Sequence, residues 1–151
     1  MFMNIGTKYL GDIQIAEENI ITFPSGLPGF SDEHKFVLLN IPSEATDTFQ
    51  VLQSVKTTEL AFIVTNPYYF YQDYEFTLED GIIEQLKIAE KEDVIVLAIV
   101  TLQEPFEEST INLKAPLIIN YKENLGKQYI LHTDMYKTRT PLSVSLSKED
   151  E

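Results

Sequence analysis

Two histidines, 24 acidic side chains and no cysteine bound the chemistry open to this 151-residue chain. Without cysteine there is no disulfide, no thiolate metal site and no cysteine nucleophile. His34 sits in the polar stretch Ser31-Asp-Glu-His-Lys35, and no second histidine stands at the spacing a zinc site uses, so it reads as a surface histidine. His132-Thr-Asp134 has the composition of a base beside an orienting acid. A hydrolase of that type also needs a serine activated on a sharp turn, and the chain holds no Gly-x-Ser-x-Gly. Ser25, in Pro24-Ser-Gly26, reads as a turn residue. Paired carboxylates of the glycosidase kind are compatible with any chain this rich in acids, which keeps a carboxylate-based hydrolase on a small β fold as the alternative reading. Neither Gly-x-x-x-x-Gly-Lys-Ser/Thr nor Gly-x-Gly-x-x-Gly occurs, so nothing marks a phosphate cradle. The expectation is a protein with no catalytic residues, no metal and no cofactor, acting by binding other proteins.

The acids say more through where they fall. The net charge is −13, and the stretch from Thr57 to Leu113 sets twelve acids against only Lys87 and Lys91, so it carries −10. No basic side chain lies between Lys56 and Lys87. Such a surface repels phosphates, which argues against direct nucleic-acid binding and against an oligonucleotide-binding barrel, because that barrel needs a positive groove. It attracts a basic protein and steers its approach. Within the same stretch, Asn66-Pro-Tyr-Tyr-Phe-Tyr-Gln-Asp-Tyr-Glu-Phe76 packs six aromatics into eleven residues. Phe70, Phe76 and about half the tyrosines are expected in the core. Tyrosines left exposed beside carboxylates make anchors for a basic amphipathic segment, since they offer contact area at low entropy cost. The candidate protein-binding residues are therefore Tyr68, Tyr69, Tyr71, Asp73, Tyr74 and Glu75, joined by Glu104, Glu107 and Glu108 of the next acidic loop.

Those side chains must be positioned by strands. Runs of β-branched and aromatic residues fall at 9–15, 19–23, 36–41, 49–54, 60–65, 94–102, 109–113, 117–121 and 127–131, each bounded by turn residues. Val94-Ile-Val-Leu-Ala-Ile-Val-Thr-Leu102 has no polar alternation and is predicted to be buried on both faces. Asn124-Leu-Gly126 reads as a hairpin loop, with Gly126 free to take a positive φ. One short helix is predicted near residues 78–89. Thr77-Leu-Glu-Asp80 resembles a capping box with Thr77 as N-cap, and Leu78, Ile82, Leu86 and Ala89 form one apolar stripe. The fold class is all-β, mainly antiparallel, as a small closed or pseudo-barrel capped by that helix. Residues 1–142 form one domain, and 143–151 are expected to be a flexible acidic tail. No apolar run reaches the length of a membrane span, and Met1 to Lys8 lacks a signal-peptide pattern, so the expected location is cytoplasmic with no membrane contact.

Three stretches resemble the FliW-type flagellar assembly factors. Ile21-Thr-Phe-Pro-Ser-Gly-Leu-Pro-Gly-Phe30 is similar to that family's N-terminal signature. Asn112-Leu-Lys-Ala-Pro-Leu-Ile-Ile-Asn120, followed by Gly126-Lys-Gln-Tyr-Ile130, is similar to its C-terminal signature, and Asn66-Pro67 ahead of the aromatics matches less specifically. In order and spacing they cover residues 5 to 142. The motifs read physically as structure: Gly26 and Gly29 bracket Leu27-Pro28 in a turn, and Ala115-Pro116 interrupts pairing before the next strand. An exposed Leu27 or Phe30 is the part of them able to touch a partner. The resemblance implies a non-enzymatic cytoplasmic regulator with a barrel-like fold and two protein partners. One is flagellin. The other is the carbon storage regulator, an RNA-binding translational repressor, which the released factor would bind and antagonise so that flagellin translation resumes.

Overall fold

The computed structural model describes residues 1–41 and 48–142, so the expected tail at 143–151 lies outside the described residues. Strands β1 (Phe2–Thr7) and β2 (Gly11–Ala16) form a separate hairpin. Strands β3 (Ile21–Thr22), β4 (Lys35–Asn40), β5 (Phe49–Ser54), β6 (Ala61–Thr65) and β7 (Val94–Thr101) follow. The order ends with β8 (Thr110–Ile111), β9 (Leu117–Asn120), β10 (Leu125–Gln128) and β11 (Thr140–Pro141). Neighbouring strands run β7-β6-β5-β4-β3-β10-β9, and β9 pairs back onto β7 to close the ring. Every pairing is antiparallel except β10 with β3, which meet in parallel at Leu125 and Thr22. That single pair makes the closure thin, as a pseudo-barrel. β8 continues beyond β9 along the same edge of β7, and β11 adds to β8.

Alternation assigns each side chain to one of three cores. Phe23, Phe36, Leu52, Val64, Leu97, Leu117 and Ile119 point into the barrel. The opposite face of β7 and β9, with Ala98, Val100 and Ile118, packs outward against Phe70, Tyr74, Ile82 and Leu86. Strand β7 thus packs on both faces from Val94 to Val100, as its apolar run predicts, whereas Thr101 and Leu102 at the end of the run are exposed. A third, smaller core joins Ile5 and Ile15 of the hairpin to Val37 on the outside of β4.

The N-terminal hairpin was not predicted at β1, because Phe2–Thr7 alternates only weakly and borrows its partner from β2 and its apolar face from β4. The helix α1 (Asp80–Gln85) is shorter than 78–89. Its N-cap is Glu79, without a side-chain cap, and not Thr77. Tyr74 and Phe76 are held in the outer core, which keeps the chain extended up to the cap. At the other end Lys87 takes φ +54 and ends the helix, so Ala89 lies exposed beyond it. A capping box does occur, but at Glu90–Asp93, on the 3-10 turn leading into β7.

Asn120, closing the C-terminal signature, is buried and ties three elements together. Its Nδ2 donates to the carbonyls of Leu86 (2.7 Å) and Lys87 (3.1 Å), and its Oδ1 accepts from the N–H groups of Lys122 and Glu123. The end of α1 is thereby fastened to the β9–β10 turn. In that turn the positive φ belongs to Asn124 (+54) and not to Gly126, which lies inside β10. Gly126 is needed for a different reason: a Cβ there would stand 2.7 Å from Phe23 Cζ. Gly26 does use its freedom, at φ +67, with a Cβ position 2.7 Å from the Ser31 carbonyl oxygen. The turn it makes buries Leu27 (2% exposed) and leaves Phe30 (42%) outside, against Phe62.

Phe23 is fully buried edge-to-face on Phe36, so it has no room to yield. Gly126→Ala is therefore expected to destabilise the fold by about 1–3 kcal/mol in denaturant titrations. Asp93, 4% exposed, accepts from Lys122 Nζ at 2.8 Å and from the Glu90 N–H at 3.1 Å. The lysine bond holds its carboxyl below the usual 3.8, and the same bond holds Lys122 above 10.5. A depressed carboxylate pKa contributes stability that is present above about pH 3.8 and lost as pH falls through the folded value. The raised lysine contributes stability lost as pH rises through its folded value, above 10.5. The stability gap between wild type and Lys122→Gln should be open at neutral pH and close at both extremes. A gap that stays constant down to pH 3, followed by circular dichroism, would remove this pairing as its source.

Candidate protein-binding surface

The aromatic stretch leaves β6 through a 3-10 turn at Pro67–Tyr69. Asn66 starts it: its Oδ1 accepts the Tyr68 N–H at 2.9 Å, and Pro67 supplies the fixed φ of the first position. The Asn-Pro dipeptide therefore sets the direction in which the tyrosines emerge. Phe70 turns inward and stacks on Phe49. Tyr68 (38% exposed) and Tyr69 (50%) stay outside.

Tyr74 does not belong to the exposed set. It is 3% exposed, its hydroxyl donates to the Leu113 carbonyl at 2.7 Å, and its ring meets Tyr68, Phe76 and Tyr136. Burial first, then Tyr68 and Tyr136, push its hydroxyl well above the ordinary tyrosine range. A full ring in a β-protein core stabilises by apolar area as long as its hydroxyl finds an acceptor, and the free carbonyl of Leu113 supplies one. Tyr71 is half-buried and donates to the Pro141 carbonyl, so it clasps β11.

Asp73 and Glu75 are exposed, as are Glu104, Glu107 and Glu108. The second acidic group rides a 3-10 turn at Phe106–Glu108 whose base is closed by Ser109, with Oγ accepting the Gln103 N–H at 2.9 Å. Phe106 beside it is 40% exposed. The loop is coupled to the tyrosine turn through β11: Leu142 donates to the Ser109 carbonyl, Pro141 pairs with Thr110, and Tyr71 holds Pro141. Of the twelve acids between Thr57 and Leu113, all but Asp93 are exposed. What this arrangement offers is contact and charge: exposed tyrosine rings, an exposed phenylalanine and exposed carboxylates.

His132 is exposed and its Nε2 lies 3.1 Å from Glu79 Oε1, whereas Asp134 approaches Lys114. The base and acid suggested by His132-Thr-Asp134 are thus not partners. His34 is exposed, with Nδ1 at 3.0 Å from the Phe23 carbonyl oxygen. Among the described residues no group of three or more His, Asp or Glu side chains converges as metal ligands. No helix of the described residues is long and apolar enough to cross a membrane.

Sequence reasoning passed over Tyr136, Tyr129, Glu79 and Met135. The Glu75 N–H donates to the Tyr136 hydroxyl at 3.0 Å across 61 residues of chain, a contact no local pattern announces. The division within the tyrosines has a direct check. Tyr74→Phe should cost about 1 kcal/mol by stranding the Leu113 carbonyl, while Tyr69→Ser should stay within about 0.5 kcal/mol of wild type in the same thermal melts. Equal losses would mean that both rings are structural.

The FliW protein family model matches residues 4–142. The flagellar assembly factor FliW of Oceanobacillus iheyensis is 50% identical over 149 residues, covering 99% of this chain and 100% of that protein. The protein of the same name from Bacillus subtilis is 47% identical over 140 residues, covering 93% and 96%. A crystal structure of the flagellar assembly factor FliW superposes with a TM-score of 0.86 at 44% identity, covering 93% of this chain and 96% of the other.

Proposed function

Because the chain belongs to the FliW family, we propose that it is a non-enzymatic, cytoplasmic flagellar assembly factor that binds flagellin and, once released, binds and antagonises the carbon storage regulator. The family supports the assembly role. The observation that carries the choice of partner is the exposed acidity around the aromatic turn and the 104–108 loop. A repressor that grips RNA must present basic residues, and a surface of exposed carboxylates is complementary to them. The exposed rings of Tyr68, Tyr69 and Phe106 supply apolar anchorage beside these acids.

The mechanism follows from the same charges. Once seated beside an RNA-binding protein, this face raises the energy of placing RNA phosphates nearby, so repulsion contributes to antagonism without covering the RNA site. Neutralising Asp73, Glu75, Glu104, Glu107 and Glu108 to their amides together is expected to slow association with the regulator by on the order of tenfold at low salt. The same variant should release less RNA in a competition shift assay. Undiminished antagonism would refute the electrostatic mechanism. A wild-type pull-down that captures neither flagellin nor the regulator would remove the partner assignment itself.

A further inference from the structure

The segment before α1 and the stretch from Tyr129 to Tyr136 enclose an open groove of about 620 Å³. That is within the range of roughly 300–1,000 Å³ in which proteins hold ligand groups. Phe76, Tyr129 and Leu131 make its lining apolar, and Met135, 73% exposed, stands at its mouth. Tyr136 lines it too, fixed from behind by its ring contact with Tyr74 and by the Glu75 N–H. Glu75 and Glu79 face the same space. Among the described residues no lysine or arginine pairs with either carboxylate. Lys114 is engaged with the carbonyl of Thr133, a lining residue, and with Asp134. Glu79 is met by His132 Nε2 at 3.1 Å and by the Tyr129 hydroxyl, which lines the same groove.

We propose that this groove docks a protein segment presenting one basic and one neighbouring apolar side chain, the cation between Glu75 and Glu79 and the apolar group against Phe76, Leu131 and Met135. The inference rests on the reading of the chain as a protein-binding factor and adds to its exposed face a recessed subsite. Charge complementarity selects the occupant. Two carboxylates without a lysine or arginine partner, beside tyrosine rings, favour an arginine or lysine, whose charge also lies well over an aromatic face. The same carboxylates exclude a phosphate-bearing ligand. The apolar lining demands more than a free cation, and an exposed methionine gives a contact that adapts to different apolar partners.

The test uses the full chain, isotopically labelled, and a synthetic amphipathic peptide of leucine and arginine. Controls are the same peptide with glutamate for arginine, with serine for leucine, and free arginine amide. The parent peptide is expected to shift the amide resonances of His132, Met135 and Tyr136. Glu75→Gln with Glu79→Gln should weaken it roughly tenfold, equivalent to about 1.4 kcal/mol. Met135→Ser, on an exposed side chain, should weaken it several-fold with the fold intact. Equal binding of the glutamate or serine peptide, equal shifts from arginine amide, or shifts confined to Tyr68 and Tyr69 would each overturn the proposal. Flagellin and the regulator are measured against the same double variant. Partners held as tightly as by wild type would refute the groove and leave the proposed function standing. A seated peptide with no partner bound by wild type would do the reverse.

Discussion

Strand β7 packs apolar side chains into a core on each of its two faces, and the other elements are arranged around that fact. Its eight residues alternate between the barrel interior, where Leu97 sits, and the outer core, where Ala98 and Val100 sit. Both of its edges are occupied, by β6 on one side and by β9 and then β8 on the other. An apolar strand left bare on its outer face would be an aggregation hazard, so something must cover it. The aromatic segment and α1 do so, and this is why the tyrosine-rich stretch lies where it does. Covering the strand with Phe70 and Tyr74 leaves Tyr68 and Tyr69 on the outside of the same short turn.

Charge obeys the same partition. The carboxylates of the acidic stretch stay out of both cores, because an ionised group in an apolar interior is stabilised only by a partner. Asp93 is the exception, and it has both Lys122 and the capping turn. The remaining acids of the stretch stay at the surface by exclusion. Acidity and aromatic exposure thus both follow from what the two cores exclude.

The stretches that carry the family resemblance are architectural. Gly26 permits the turn that seals Leu27 into the barrel, Gly126 lets β10 pass over Phe23, and Asn120 clamps the helix to the last hairpin. The residues with exposed rings and exposed carboxylates lie mostly elsewhere, in the turn after β6 and the loop after β7. A family recognised by its fold-making residues therefore says little about which side chains meet a partner, and local charge and exposure have to supply that.

Hydrophobic runs by themselves determined the strand content, the double burial of β7, the presence of one short helix and the acidic bias of the central stretch, since these depend on residues close in the chain. They could not determine β1, whose apolar face is completed by Val37, nor the start of α1, which Tyr74 and Phe76 delay by packing at a distance. The exposed tyrosines could not be told from the buried one, because Tyr74 is drawn inward by the Leu113 carbonyl and the Tyr136 ring, both remote in sequence. The groove containing Glu75, Glu79 and Met135 exists only where two distant segments meet. Local pattern sets which side chains avoid water, and tertiary contact decides which of them are given the means to do so.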